Sequence, residues 1–235
     1  TEKEEILKGI NLVIDERSTA IIGQNGAGKT TFVKLLKGLL RPTQGNILFN
    51  GQDLSDFTAA QLAKDIGLVF QNPNDQIFKN TVIDEVMFGP LQIGMDSQVA
   101  EVSAQKALAM VGLEGTEKVN PYDLGLSDRK MVSIAAIIAM DTDVVIFDEP
   151  TIGLHPLDVK TLLAVMQQLL DRGATIITIT HDLNLIINAD YMLDMGPRGG
   201  SNGGKIVAQG NPLALVQKPE SLTSKYLAEY WSRFN

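Results

Sequence analysis

Gly23-Gln24-Asn25-Gly26-Ala27-Gly28-Lys29-Thr30 is the stretch that decides the fold of this 235-residue chain. It fits the pattern G-x-x-x-x-G-K-[ST], a glycine-rich loop whose backbone N–H groups surround phosphate groups. An apolar run at 19–22 enters the loop, and a helical pattern at 29–39 leaves it. We therefore expect a strand, a phosphate-binding loop and a helix N-terminus, whose dipole favours an anion.

The residue types at the end of the loop indicate which groups would hold such a ligand. Lys29 can reach the β- and γ-phosphates of a nucleotide, and the Thr30 hydroxyl can ligate Mg²⁺. Thr31 follows in the same turn and completes the expected nucleotide site. A glycine turn without a ligand is less favoured, because the Lys-Thr pair stands in register between a strand and a helix. The sequence thus predicts that the chain binds ATP or GTP.

Composition restricts the other classes of function. The chain has 28 Asp and Glu against 20 Lys and Arg, which argues against a broad contact with nucleic-acid phosphates. It has no cysteine, which excludes disulfides and thiolate zinc sites. The longest strongly apolar run, around 131–140, is about half of the ~20 residues that a membrane span needs. We expect a soluble protein that would need a partner for any role at a membrane.

Short apolar runs alternate with helical patterns, which favours an α/β fold with a largely parallel sheet. Strands are predicted at 10–14, 19–22, 47–49, 66–70, 144–147, 174–179, 191–194 and 205–208. Helices are predicted after Gly28, Pro156 and Asp182, at 98–111 and 129–140, and, with an amphipathic pattern, at 221–234. We expect a nucleotide-binding core, 1–80 and 141–235, with an inserted helical subdomain, 81–140.

Further candidate residues follow the predicted strands, at the sheet edge where ligands of such folds bind. The apolar run 144–147 ends in Asp148, expected to meet the Mg²⁺ at Thr30. Glu149, the next residue, is placed to polarise an attacking water as general base. Gln71 follows the strand 66–70, where its amide can reach the Mg²⁺ or the lytic water. His181 follows the strand at 174–179, where it can reach the γ-phosphate.

These motifs resemble, in order and spacing, those of the ATP-binding cassette (ABC) ATPases, and the resemblance covers nearly the whole chain. It implies a P-loop NTPase with a RecA-like core and a mixed sheet flanked by helices. Within that superfamily, the run Phe-Gln-Asn-Pro-Asn-Asp-Gln-Ile-Phe at 70–78 resembles the ATPase of energy-coupling factor (ECF) importers, which take up vitamins or transition-metal ions.

The ECF resemblance implies a set of cofactors and partners. The cofactors are ATP and Mg²⁺, and the activity is ATP hydrolysis coupled to transport. The partners are a second ABC ATPase, a transmembrane coupling protein, whose cytoplasmic helix docks near Gln71, and a substrate-binding membrane subunit. The expected location is the cytoplasmic face of the cell membrane.

The chain departs from the family pattern in its signature segment, at residue 155 and in its C-terminal third. The signature segment, LSGGQ in the family, falls on 124–128 as Leu-Gly-Leu-Ser-Asp. Leu126 adds bulk and Asp128 adds negative charge where a partner's γ-phosphate would approach, and Ser127 stands two positions late. We expect a heterodimer, in which the loop and Glu149 of this chain meet an intact signature of a different ATPase. The second departure is His155, where importers usually carry Asp.

Two alternatives to an importer stay open. The loop at 151–155 and the stretch 189–210 resemble the ABC ATPase of nucleotide excision repair. That family carries zinc modules, whereas this chain has no cysteine and is acidic, so an importer without a nucleic-acid partner is favoured. The other alternative is an assembly module that binds ATP without hydrolysing it. The altered signature favours this alternative, and the acids at 148 and 149 argue against it.

Overall fold

The computed structural model describes residues 5–15, 17–197 and 203–215. Its strands are β1 (Ser18–Gly23), β2 (Leu48–Phe49), β3 (Gln52–Asp53), β4 (Ile66–Val69), β5 (Val144–Asp148), β6 (Thr175–Ile179), β7 (Tyr191–Gly196) and β8 (Lys205–Gly210). Its α-helices are α1 (Lys29–Leu36), α2 (Ala59–Leu62), α3 (Val82–Gln92), α4 (Ser97–Met110), α5 (Leu126–Ile138), α6 (Pro156–Asp171), α7 (Leu183–Asn188) and α8 (Pro212–Leu215). In these described parts, no helix combines the length and the apolar character needed to cross a membrane.

The strands confirm the predicted α/β class and the mixed sheet. Six strands, flanked by helices, form one sheet in the order β4-β5-β6-β1-β7-β8. β1 is parallel to β7 and β4 is parallel to β5, whereas β7 and β8 are antiparallel. The short strands β2 and β3 pair separately. The parallel strands β1 and β4 are buried almost throughout, as expected for strands that are covered on both faces.

The chain divides into two compact units. The first comprises Thr1–Thr58 and Ile177–Asn235 and contains β1, α1, β7 and β8. Its core includes apolar side chains of β1, α7, β7 and α8, among them Ala20, Ile22, Ile186, Met192 and Leu215. This core supports β1, the strand that leads into the glycine-rich loop.

The second unit, Ala59–Ile176, packs α3, α4 and α5 together and places α5 against β4. N-cap residues stabilise the starts of α3 and α4. Thr81 accepts a hydrogen bond from the Asp84 amide at 3.2 Å, and Asp96 accepts one from the Gln98 amide at 2.9 Å. Gly67 lets α5 approach β4 closely, because a Cβ atom there would collide with the Ile137 side chain.

The predicted elements differ from the structure in a few places. The strand predicted at 10–14 is absent: these residues form no regular structure, although Ile10, Leu12 and Ile14 are half-buried. Their alternation reflects packing of one face without a hydrogen-bonded neighbour, while Val13 is 88% exposed. The helix predicted at 129–140 begins and ends earlier, as α5. The helix predicted at 221–234 lies outside the described residues.

Candidate nucleotide site

The glycine-rich loop of the first unit has the backbone geometry that its motif requires. Gly26 and Gly28 have φ values of 82° and 96°, which disfavour residues with a side chain. A Cβ atom at Gly23 would collide with the Met195 carbonyl on the neighbouring strand β7. Gly28 is the N-cap residue of α1, so the first turn of this helix, with its backbone N–H groups, follows directly from the loop. The glycines thus build an anion-binding cradle.

Lys29 is held over the loop by backbone carbonyls. Its side chain is only 8% exposed, and Nζ donates to the carbonyl oxygens of Gly23 at 2.5 Å and Gln24 at 3.2 Å. The cation therefore lies at the centre of the cradle. Thr30 is exposed on the first turn of α1, and Thr31 is half-buried.

Gly204 braces the loop from a distant part of the chain, and sequence reasoning missed this role. The Gly204 amide donates to the Ala27 carbonyl at 3.2 Å, and the Gly204 carbonyl accepts from the Lys8 amide at 2.7 Å. Gly204 has a φ of 81°, and a Cβ atom there would collide with the Ile6 carbonyl. The sequence contained a signal, because 196–204 holds five glycines and a proline, but it did not indicate that Gly204 contacts the loop.

His181 lies in the first unit, close to the end of β1. The preceding residue, Thr180, donates its amide hydrogen to the Ile21 carbonyl at 3.2 Å, two residues before the loop begins. Asp182 then caps α7 by accepting from the Asn184 amide at 2.8 Å. The exposed His181 is thereby fixed at the strand edge from which the loop emerges.

The second unit brings the other candidates together at the carboxyl ends of β4 and β5. The two strands are parallel, and Val69 stands opposite Phe147. Gln71 and the pair Asp148 and Glu149 therefore follow neighbouring strand ends. Glu149 has a φ of 45°, an uncommon backbone conformation for a residue with a side chain, and such residues concentrate at functional sites.

Lys130, on α5, is the charged residue of this edge that sequence reasoning missed. It is 1% exposed, and Nζ donates to the carbonyl oxygens of Phe70 and Gln71, both at 2.7 Å. Burial lowers the pKa of the ammonium from 10.5 to about 8, and attraction to Asp148 and Glu149 partly offsets this fall. The helical pattern contained a signal, because Lys130 stands four residues before the buried Ile134 on the same helix face.

The altered signature segment occupies the start of α5. Gly125 is the N-cap residue and forms no side-chain cap. The Ser127 hydroxyl makes a hydrogen bond to the Asp158 carboxylate, and the same carboxylate accepts from the His155 amide at 3.3 Å. Ser127, which is offset from the usual serine, is thus joined to the loop that carries His155.

The structure therefore assembles the candidates in two groups. The glycine-rich loop and His181 belong to the first unit, and Gln71, Asp148 and Glu149 belong to the second. Joint binding of one Mg²⁺ by Thr30, Gln71 and Asp148 stays a prediction.

The strand, loop and helix at 18–36 form a cradle for phosphate. In the same sheet, the buried strand β5 leads to two acidic residues, Asp148 and Glu149. These features together define a P-loop nucleotide-binding protein. Comparison with known proteins identifies the family to which it belongs. Residues 7–152 match the family model described as ABC transporter, and the chain belongs to this family.

Individual relatives cover most of the chain. The energy-coupling factor transporter ATP-binding protein EcfA of Methanocaldococcus jannaschii is 38% identical over 92% of this chain and 77% of its own length. The protein of the same name from Methanoculleus marisnigri is 37% identical over 94% of this chain and 79% of its own. Among solved structures, cbiO1 from Clostridium perfringens, part of the ABC transporter complex cbiONQ, has a TM-score of 0.80 and is 32% identical, covering 92% of this chain and 85% of that chain.

Proposed function

We propose that this chain is the ATP-binding and ATP-hydrolysing subunit of an energy-coupling factor importer. The observation that carries the proposal is the identity of 38% and 37% to two energy-coupling factor ATP-binding proteins, over 92% and 94% of the chain. The phosphate cradle at 23–30 supplies the binding chemistry that such a subunit requires.

In this proposal, the first unit holds the triphosphate. The backbone of 23–28 and the N-terminus of α1 surround the phosphates, with Thr31 at the same turn. Lys29 exchanges its carbonyl partners at Gly23 and Gln24 for phosphate oxygens, for which a cation has higher affinity. His181, fixed at the end of β1, contacts the γ-phosphate.

The second unit supplies the groups that activate water. Bound Mg²⁺ would neutralise phosphate charge, and its ligands from the chain would be the Thr30 hydroxyl, the Gln71 amide and the Asp148 carboxylate, all oxygen donors of the kind that Mg²⁺ prefers. Glu149 accepts a proton from the attacking water as general base.

We further propose that the chain works beside a second, different ATPase, beneath a transmembrane coupling protein and a substrate-binding membrane subunit. Its place is then the cytoplasmic face of the cell membrane. The altered signature supports a heterodimer: Leu126 is 47% exposed, Asp128 adds a negative charge, and the Ser127 hydroxyl is bonded within the chain. The helical region 81–140 is proposed as the subdomain that presents this segment.

The test compares Glu149→Gln with the parent chain, each purified with its membrane partners. Glu149→Gln removes the general base and keeps the size of the side chain, so ATP turnover is expected to fall by about 100-fold or more. Affinity for Mg·ATP, measured by calorimetry, is expected to stay within about threefold because the phosphate cradle is intact. Glu101→Gln, at an exposed position of α4, is the matched control. Turnover of Glu149→Gln near the parent rate rejects the base, and failure of the parent to bind any nucleotide rejects the function.

The heterodimer requires its own measurement. ATP hydrolysis by the chain alone is compared, per nucleotide site, with hydrolysis by the purified complex. We expect weak activity of the chain alone, because two copies would meet only altered signatures. Equal rates would refute the heterodimer and leave the importer function standing.

A further inference from the structure

Among the described residues, Lys130 is the charged residue with the lowest exposure, at 1%. A buried ammonium is costly unless its hydrogen bonds are satisfied and a counter-charge is near. Here two backbone carbonyls accept from Nζ at 2.7 Å, and Asp148 and Glu149 supply opposite charge. The carbonyls belong to Phe70 and Gln71, directly after β4. The buried ammonium of Lys130 therefore holds the backbone of the turn that carries Gln71.

Two more polar contacts join the same turn to α5. Arg129 Nη1 donates to Asn74 Oδ1 at 2.9 Å. Gln76 Nε2 donates to the Ser133 carbonyl at 3.1 Å, and Gln76 Oε1 accepts from the Phe70 amide at 3.3 Å. Both Asn74 and Gln76 belong to the run 70–78 that distinguishes this chain within its superfamily. Residues 70–76 are thus attached to α5 at several points, and Lys130 is the buried member of this set.

The position of Lys130 on α5 gives these contacts a functional meaning. The helix begins at Leu126, within the signature segment, and Lys130 follows one turn later. Any displacement of the start of α5 acts on the Phe70–Gln71 backbone through two short charge-assisted hydrogen bonds, which are among the stronger polar contacts in proteins.

We propose that Lys130 is a positioning residue, which ties the signature end of α5 to the turn of Gln71 so that the two move together. This inference rests on the proposed function, since the signature segment would respond to a second ATPase and Gln71 to the hydrolytic site. Lys130 acts through its hydrogen bonds to the Phe70 and Gln71 carbonyls. It transmits the position of one segment to the other.

The test uses Lys130→Met, which keeps a long unbranched side chain but removes the donors and the charge. Lys130→Gln keeps a donor without the charge, and Lys106→Met, at an exposed position of α4, is the control. Hydrogen–deuterium exchange is measured on the full chain. In Lys130→Met, we expect exchange within 70–77 to be accelerated on the order of tenfold, the effect of losing a hydrogen bond to a charged group. Lys130→Gln should restore part of the protection.

A kinetic measurement separates positioning from simple structural support. In the complex with its membrane partners, Lys130→Met is expected to lower kcat by about tenfold while KM for ATP stays within about twofold, because the phosphate cradle belongs to the other unit. Local acceleration of exchange together with this split supports the proposal. Unchanged exchange at 70–77, or equal acceleration throughout α3, α4 and α5, overturns it. Should the parent complex not hydrolyse ATP, the proposed function fails, while the exchange result still decides the role of Lys130.

Discussion

The pH dependence of stability provides a direct test of the buried ammonium of Lys130. The perturbation is Lys130→Met, compared with the parent chain without nucleotide and in the presence of a chelator. Burial lowers the pKa of Lys130 from 10.5 to about 8 in the folded chain, whereas the unfolded chain has the ordinary value. Between these pH values the unfolded state binds more protons than the folded state, so this residue makes the free energy of unfolding rise with pH.

The structure sets the magnitude of this effect. A fall of the pKa from 10.5 to about 8 corresponds to about 3 kcal/mol, at about 1.4 kcal/mol for each tenfold change in proton affinity. Below pH 8 the parent bears this full cost, because a charged lysine is buried. Well above pH 10.5 the cost vanishes, because both states then hold the neutral amine. Lys130→Met never bears the cost, since methionine does not titrate.

The assay is urea unfolding of both proteins at intervals from pH 7 to pH 10.5. The free energy of unfolding of the parent, relative to Lys130→Met, is expected to rise by about 3 kcal/mol over this range. All other titrating groups are shared and largely cancel in the difference. Lys106→Met, which replaces an exposed lysine, should show a flat difference from the parent. A flat difference for Lys130→Met as well would refute the desolvated ammonium.

Two further predictions concern the contacts that brace each unit. Gly204→Ala is expected to destabilise the chain by about 2 kcal/mol or more in urea unfolding and to weaken ATP binding in calorimetry, because its φ of 81° and a backbone collision both oppose a side chain. Gly45→Ala is the control, because Gly45 also has a positive φ, of 76°, but no atom lies near the position of the added Cβ. It is expected to lose only about 1 kcal/mol of stability, from the backbone conformation alone. Equal losses in the two variants would contradict the role of Gly204 in supporting the loop. Asp158→Ala is expected to lower stability by about 1 kcal/mol, because it removes the acceptor of the Ser127 hydroxyl and a capping contact. Asp171→Ala, at the other end of α6, should change the stability by less than about 0.5 kcal/mol. Thermal unfolding measures both variants, and equal losses would contradict the role of Asp158.

The features predicted correctly from sequence are those with a local physical cause. The glycine-rich loop and α1 follow from glycines that need unusual φ values beside an apolar run, and all of this lies within 19–36. The helix predicted at 98–111 is confirmed as α4, whose first turn is capped by the adjacent Asp96, whereas α3, capped by Thr81, was not predicted. The α/β class with its parallel strands follows from the alternation of buried runs and helices, whereas the mixed character of the sheet, with β8 antiparallel to β7, was implied only by the family resemblance.

The features that were missed depend on contacts between distant parts of the chain. Lys130 and Gln71 are 59 residues apart, and the sequence around Lys130 does not indicate that its ammonium binds two backbone carbonyls. Gly204 braces Ala27 from far along the chain, and its partner is a carbonyl group, which every residue possesses. Residues 10–14 show the opposite error: their alternation is real, but a strand also needs a hydrogen-bonded neighbour, which the pattern cannot supply.

The departures from the family pattern belong to one local arrangement rather than to independent losses. Leu126, the bulky residue of the altered signature, lies against Gly153: a Cβ atom there would be 3.2 Å from Leu126 Cδ2. The next residue, Ser127, binds Asp158, and the same carboxylate accepts from the backbone of His155. Leu126 thus contacts the loop that carries His155, and Ser127 contacts the first turn of the helix that follows this loop. Replacing Leu126 or Ser127 alone would therefore remove a contact with Gly153 or with Asp158. The link to residue 155 is made by its backbone amide, which an aspartate at that position would also provide, so the residue at 155 can be exchanged without breaking the contacts of the signature.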